Sequence, residues 1–383
     1  MKKIWPLTFL AFTVTACVNP SVSSSSSSGV PNGLLPLTPV EGCGVQTIDN
    51  QWVCTWTDEF NGEVLDSENW NVEVNGDGGG NQEAQYYRNE NISVSDGTLK
   101  ITAKKENYLG KQYTSGRINS RYKVNPQFGR VTFRAKMPAG RGTWAAVWML
   151  PLFNRFGQWP NSGEIDILEY VGYDSDTVFS ATHTTKFNHT KNNNPSASKV
   201  LVDPENQFYE YEMIWLPGEI RMLVEGNPYG TYRYVPQFNQ DVPHDDVFPF
   251  HEEFYFIINL AIGGSWGGVQ GIDALAFPTI LEIDYLRLYQ WDYANHDLTP
   301  PETPTALANS QLENTIHWNR PSDDTWVSHY AIYLDGVKYR EAKINQFTFV
   351  GLEERSYQVQ VEAIDFVGRN SPLSDAITFN FGA

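Results

Sequence analysis

The sequence predicts an all-β protein, a large antiparallel β-sandwich followed by a smaller one. Three observations carry this. Short runs of alternating polarity recur between residues 42 and 293, each closed by Gly, Pro, Asn or Asp. No segment offers a long helical period. A proline-rich stretch, Thr299-Pro300-Pro301-Glu302-Thr303-Pro304, separates this part from about eighty residues with their own strand rhythm. The 383 residues are 41% hydrophobic and 14% aromatic, enough for real cores. The net charge is -18, from 45 Asp+Glu against 27 Lys+Arg. Such a chain is repelled by phosphate backbones, which argues against nucleic-acid binding, and its field tolerates a neutral polymer better than a sulfated one.

At the N-terminus, Lys2 and Lys3 precede an apolar run from Ile4 to Ala16, too short to span a bilayer, and the pattern is that of a secretory signal. Val14-Thr15-Ala16-Cys17 resembles the lipobox of bacterial lipoproteins. The resemblance implies that residues 1–17 form a lipoprotein signal cleaved so that Cys17 is left as the lipid-bearing first residue, and an exported protein at the outer membrane or cell surface. Residues 18–41, with the unbroken serine run Ser23 to Ser28, read as a flexible tether. Membrane association is thus expected through the anchor alone, and the folded part is expected to be a monomer. Cys43 and Cys54 remain; in an exported chain they are expected to pair, although spacing alone leaves two buried thiols open.

Within the large sandwich, residues 42–295, runs such as Thr98-Leu99-Lys100-Ile101-Thr102-Ala103 and Tyr209-Glu210-Tyr211-Glu212-Met213-Ile214-Trp215 read as half-buried strands. The run Gly163-Glu164-Ile165-Asp166-Ile167-Leu168-Glu169-Tyr170 does not alternate cleanly. On a regular strand Glu164 and Asp166 share a face and Glu169 points away. A β-bulge between Asp166 and Glu169 would return Glu169 to that face. The three carboxylates would then line one groove while the apolar residues between them pack inward. Glycoside hydrolysis with retention needs such a row: one acid to attack the anomeric carbon and another to protonate the leaving oxygen. A third between them helps hold the two protonation states apart. An acidic solvent-facing strand is the bland alternative; Gly163 and the tryptophans nearby do not suit it.

Glu164-Ile165-Asp166-Ile167-Leu168-Glu169 resembles the E-I-D-x-x-E signature of glycoside hydrolase family 16 in its longer, bulged form. The similarity extends over about residues 55–291. It includes Gly80-Asn81-Gln82-Glu83-Ala84-Gln85-Tyr86-Tyr87, Thr114-Ser115-Gly116-Arg117-Ile118 and Gly142-Thr143-Trp144-Ala145-Ala146-Val147-Trp148-Met149-Leu150-Pro151. Trp159-Pro160 and Gly263-Gly264-Ser265-Trp266-Gly267-Gly268 continue it. The resemblance implies a β-jelly roll of the concanavalin A-like kind with a concave sugar cleft. It makes Glu164 the nucleophile, Asp166 its helper and Glu169 the acid/base, with no cofactor for catalysis. It places Asn81, Arg117, Trp144, Trp148, Trp159, His183 and Trp266 at the substrate. Trp148 also suits a core position, and a lone His such as His183 is often structural.

The bulged signature and the W-x-x-x-W-M-L-P and G-G-S-W-G-G segments are most similar to laminarinases, which are endo-acting on β-1,3-glucan. Two departures stand out, Gly79 where many of them carry Trp and Ala145 where they carry Pro; the first leaves agar or another galactan open as substrate. A non-catalytic glucan-binding surface protein is the alternative from another class, disfavoured because all three acids are present. The family also implies a structural calcium ion held by Glu59, the carbonyl of Gly97 and Asp284. The asparagine-rich stretch 186–194 is expected to be a mobile loop beside the groove.

Beyond the joint, residues 296–383 resemble a fibronectin type III domain, with Trp318 on an early strand, an Asp335-Gly336 turn, and Leu352 and Tyr357 leading a later strand. No catalytic constellation appears there. It reads as a spacer first and an accessory binding module second.

Overall fold

A computed structural model describes residues 37–235 and 241–382. Cys17, the serine run and most of the tether lie outside the described residues. What is described is almost entirely β, with two α-helices of one turn each, His244–Val247 and Tyr293–His296.

Two large sheets form the first sandwich. One has nine strands and is built around the long strand Thr279–Trp291, flanked by Trp52–Asp58 and Thr98–Ala103 on one side and Gly129–Lys136 on the other. The other has seven strands, with Ser196–Val200, Thr177–His183, Glu164–Val171, Thr143–Pro151, Phe254–Ile262, Arg117–Asn119 and Asn71–Val72 in that spatial order. Neighbours in it are antiparallel. The core lies between the sheets and includes Phe133, Met149, Ile165, Tyr170, Trp215, Phe256 and Ile283, all fully buried. Phe254–Ile262 is buried along its whole length because one face meets this core and the other forms the floor of a groove.

The second sandwich packs a sheet of Thr305–Asn309, Thr315–Asn319 and Gln346–Thr348 against one of Val337–Ala342, Val327–Leu334, Ser356–Asp365 and Ile377–Asn380. Its own core centres on Ile316, Trp318, Ile332, Phe349, Val359 and Val361. Asp335 and Gly336 have φ of 50° and 79°. Two successive left-handed residues make the turn type that matches strand twist in a two-residue hairpin. The Tyr357 hydroxyl donates to the Glu353 carbonyl at 3.1 Å, tying a strand to the corner before it.

The two sandwiches belong to one compact unit. Trp291 meets Trp52 and Trp326 edge-on at 5.1 and 4.8 Å, and Tyr293 stacks on Phe366 at 4.3 Å. Cys43 and Cys54 are joined by a disulfide beside this aromatic cluster.

The calcium expectation does not fit the residues that were to hold it. Glu59 accepts from the Arg287 guanidinium at 2.6 and 2.7 Å and also from Thr57 and the Gly44 amide. Asp284 pairs with Arg134 at 2.7 Å. A calcium site needs oxygens with uncompensated negative charge; here N–H and O–H donors already occupy the Glu59 carboxylate, an arginine faces Asp284, and Gly97 serves a turn at φ +74°.

Candidate active site

The catalytic strand runs antiparallel between two neighbours, and both record the same irregularity. Against Thr177–His183, Asp166 faces Ala181 and Glu169 faces Phe179, so three steps on one strand match two on the other. Against Thr143–Pro151, Leu168 faces Val147 and Asp166 faces Trp148. The extra residue is a β-bulge at Ile167–Leu168. Both of these side chains enter the core, at 1% and 0% exposure, while Glu164, Asp166 and Glu169 line one groove.

That groove is a cleft of about 500 Å³. Its floor follows strand alternation: Trp144, Ala146, Trp148 and Leu150 from one strand, Asn259 and Ala261 from the next, and Arg117 beyond. Asn81 and the Gly79–Gly80 backbone bound one side, and Trp159, His189 and Thr190 another.

Indole groups hold the outer acids. Trp159 Nε1 donates to Glu164 Oε2 at 2.9 Å, and Trp144 Nε1 donates to Glu169 Oε1 at 3.1 Å. One oxygen each from Glu164 and Asp166 and a ring nitrogen of His183 lie within 4.8 Å of one another. His183 Nδ1 accepts the His189 backbone N–H at 3.3 Å, so in the neutral ring the proton sits on Nε2. That nitrogen lies 3.2 Å from Asp166 Oδ2 and 3.7 Å from Glu164 Oε1. No lysine or arginine pairs with any of the three acids among the described residues. Burial pushes the Glu169 carboxyl up to about 8, with the Asp166 charge adding to it. Burial likewise raises Asp166, and burial together with the Asp166 charge raises Glu164. A row of this kind keeps at least one proton at neutral pH.

The other predicted residues divide. Trp144, Trp148, Trp159, Asn81 and Arg117 do line the cleft. Trp148 is fixed by donating to Asn259 Oδ1 at 2.7 Å, with the Arg117 guanidinium 5.0 Å from its ring centre. Arg117 Nε lies 3.1 Å from Glu73. Two placements differ from expectation. His183 is buried behind the acids and touches them rather than the open groove, because its strand register sets it opposite Glu164. Trp266 does not line the cleft; it stands edge-on to Trp144 at 5.6 Å and to Phe179 at 5.1 Å, and so backs the Trp144 platform. Nor is the 186–194 stretch loosely held. Asn188 Nδ2 donates to the Thr184 carbonyl, Asn193 Oδ1 accepts the Asn188 amide, and Lys191 Nζ reaches the Thr185 carbonyl, which sets His189 beside Trp159 at 5.0 Å.

Sequence reasoning missed Asn259, His189 and Glu83. Glu83 is buried and accepts from Gln85 and Tyr87 at 2.6 and 2.8 Å, bracing the Asn81 side of the groove. It also explains Gly79: at φ +58°, a Cβ there would stand 2.4 Å from the Glu83 carboxylate. Any larger residue, tryptophan included, requires that the buried network move.

With this geometry in hand, comparison with known proteins is decisive. The model of glycosyl hydrolases family 16 matches residues 79–279. The chain belongs to that family. A β-glucanase of Rhodothermus marinus is 41% identical over 267 residues, 67% of this chain and 93% of the relative. The solved laminarinase from the same organism superposes with a TM-score of 0.61 at 41% identity, over 63% of this chain and 98% of that structure. Glucan endo-1,3-β-glucosidase A1 of Niallia circulans is 35% identical over 61% of this chain, which spans 37% of that relative. The family 16 hydrolase described here therefore carries its three acids on the bulged form of the family's catalytic strand.

Proposed function

We propose that this family 16 hydrolase cleaves β-1,3-glucan internally, with retention of anomeric configuration. The single observation that carries the reading is the bulge that turns Glu164, Asp166 and Glu169 into one aromatic-walled groove. Glu164 attacks the anomeric carbon while Glu169, protonated at rest, gives its proton to the departing glycosidic oxygen. The products of this half are a shortened chain and a glycosyl ester on Glu164. Glu169, now a carboxylate, takes a proton from water; the water oxygen attacks the same carbon and Glu164 leaves. Asp166, held against His183, screens Glu164 and changes its share of the proton as the ester forms and breaks. No step calls on a metal or cofactor. Sugar rings offer apolar C–H faces, for which Trp144, Trp148 and Trp159 are platforms, while Asn81, Arg117 and Asn259 present polar edges to hydroxyls.

The names of the relatives support β-1,3-glucan as substrate. The experiment is product analysis on laminarin, mixed-linkage glucan and agarose, with Glu164→Gln as control. Release of short β-1,3-oligosaccharides from laminarin is expected. Cleavage of agarose alone would overturn the substrate, and full activity in the Glu164→Gln protein would overturn the nucleophile.

The remaining domains are part of the same reading. The strand order of the second sandwich and the Tyr357 corner support a fibronectin type III-like spacer at residues 296–383. The Val14-Thr15-Ala16-Cys17 motif supports a lipoprotein tethered to the outer membrane or cell surface through Cys17. Membrane-fraction activity that becomes soluble in a Cys17→Ser strain is the expected result.

A further inference from the structure

A cavity larger than the catalytic groove lies elsewhere among the described residues. It is a space of about 700 Å³ where the two sandwiches meet, and one wall carries His244, Asp245 and His251. These residues close the segment between two strands of the first sandwich. His244 and His251 are buried, at 4% and 8% exposure. His244 Nδ1 lies 3.3 Å from Asp245 Oδ1, and His251 Nε2 lies 3.4 Å from the same oxygen. One ligand atom from each residue fits within a 4.8 Å span.

Those two distances have a simple geometric meaning. Ligand atoms held about 2.0–2.1 Å from a tetrahedral metal stand about 3.4 Å apart. The His251 ring is oriented through Nε2 by Asp245, its Nδ1 being buried without a hydrogen-bond partner. Two imidazoles and one carboxylate are borderline donors that suit zinc better than calcium, which takes six to eight oxygens.

We propose that His244 Nδ1, Asp245 Oδ1 and His251 Nε2 form a binding site for a tetrahedral divalent transition-metal ion of the zinc type, its fourth position open to the cavity between the sandwiches. The site sits where such an ion would act as a brace. The His244 amide donates to Gln346 Oε1 of the second sandwich at 2.8 Å. On the other side, Pro249 and Phe250 pack against Gly163, where a Cβ would meet the Phe250 ring at 2.8 Å. Gly163 immediately precedes Glu164. All three ligands lie on the 244–251 segment, so the ion would brace the segment that stands between the second sandwich and the support of the catalytic strand, without touching the catalytic acids.

The test uses the tag-free full chain, stripped with chelator and dialysed against Zn2+. About one equivalent of zinc should be retained and the melting temperature should rise by about 5 °C at a hundredfold excess over Kd. His251→Gln and Asp245→Asn should lose both effects while still hydrolysing laminarin. Glu164, Asp166 and His183 form a second possible ligand group, so activity is read in parallel. Zinc at the proposed site leaves hydrolysis unchanged; inhibition that tracks occupancy, together with undiminished binding in His251→Gln, would overturn the assignment. Should either variant fail to fold, Co2+ loaded into the unmodified protein decides. Intense tetrahedral visible bands are expected, and their absence would refute the site.

Discussion

Acidic side chains in the two sheets of the large sandwich meet opposite fates. In the nine-stranded sheet, Glu59 faces Arg287, Glu282 faces Lys136 and Lys100, and Glu212 faces Arg130. Burial alone would raise Glu59 and Glu282, but their cationic and hydroxyl partners outweigh it and hold both below the usual carboxylate range. In the seven-stranded sheet, Glu164, Asp166 and Glu169 are as thoroughly removed from water, yet their neighbours are indoles, a histidine and each other. Their carboxyls move up. Glu212 marks the boundary: it is paired with Arg130, yet burial still leaves its carboxyl raised, so depth of burial and a fixed cation decide together whether an acid is a structural anion or a proton carrier.

The contrast can be broken most severely at the nucleophile. Glu164→Gln should lower kcat on laminarin by on the order of 10⁴-fold or more, because no other group can form the ester. Glu169→Gln should cost about 10²–10⁴-fold on laminarin and far less on an aryl glycoside whose leaving group needs no proton. For the unaltered enzyme, activity should fall as pH rises through about 8, where Glu169 loses the proton it must donate.

Stability tests sharpen the same comparison because the two groups have opposite signs. A raised carboxyl costs the fold nothing below its unfolded pKa near 4.5, and the cost grows as pH climbs toward about 8. Glu169→Gln should therefore raise the melting temperature at pH 7.5, by on the order of 1–2 kcal/mol of stability, and leave it unchanged at pH 4. A lowered carboxyl adds stability above the unfolded pKa, and that contribution disappears as pH falls through the folded value. Glu59→Gln should accordingly destabilise by about 2 kcal/mol at pH 7, and by less as pH falls through the lowered folded value, since it strands the buried Arg287 only where the native pair is charged. Thermal denaturation across pH measures both. The smallest effect belongs to the second sandwich, where Tyr357→Phe removes one hydroxyl contact to Glu353 and should cost about 1 kcal/mol with no change in hydrolysis.

How much of the site could be read in advance depended on whether a residue's role was local. The bulge was legible because E-I-D-x-x-E breaks a period of two, and a strand with one buried face must restore it. Trp144, Trp148 and Arg117 came from the family resemblance, and strand alternation then explains why the two tryptophans face the groove. His183 was placed correctly in the chain but not in the site, because its neighbour across the sheet depends on register with another strand. Trp266, Glu59 and Asp284 differed for a related reason: what faces a side chain across about ninety to more than two hundred residues is not written beside it. Gly79 became intelligible only when the buried Glu83 carboxylate was seen to occupy the space of a Cβ.

By itself, the sequence determined the class of fold, the strand that bears the chemistry and the kind of bond it attacks, since period, turn residues and acid spacing are local properties of the chain. Tertiary structure alone decided which acids received a cation and which were left to hold a proton. It alone gathered His244, Asp245 and His251 at the joint between two sandwiches. Charge and coordination act through space over a few ångströms, and only the folded chain sets those distances.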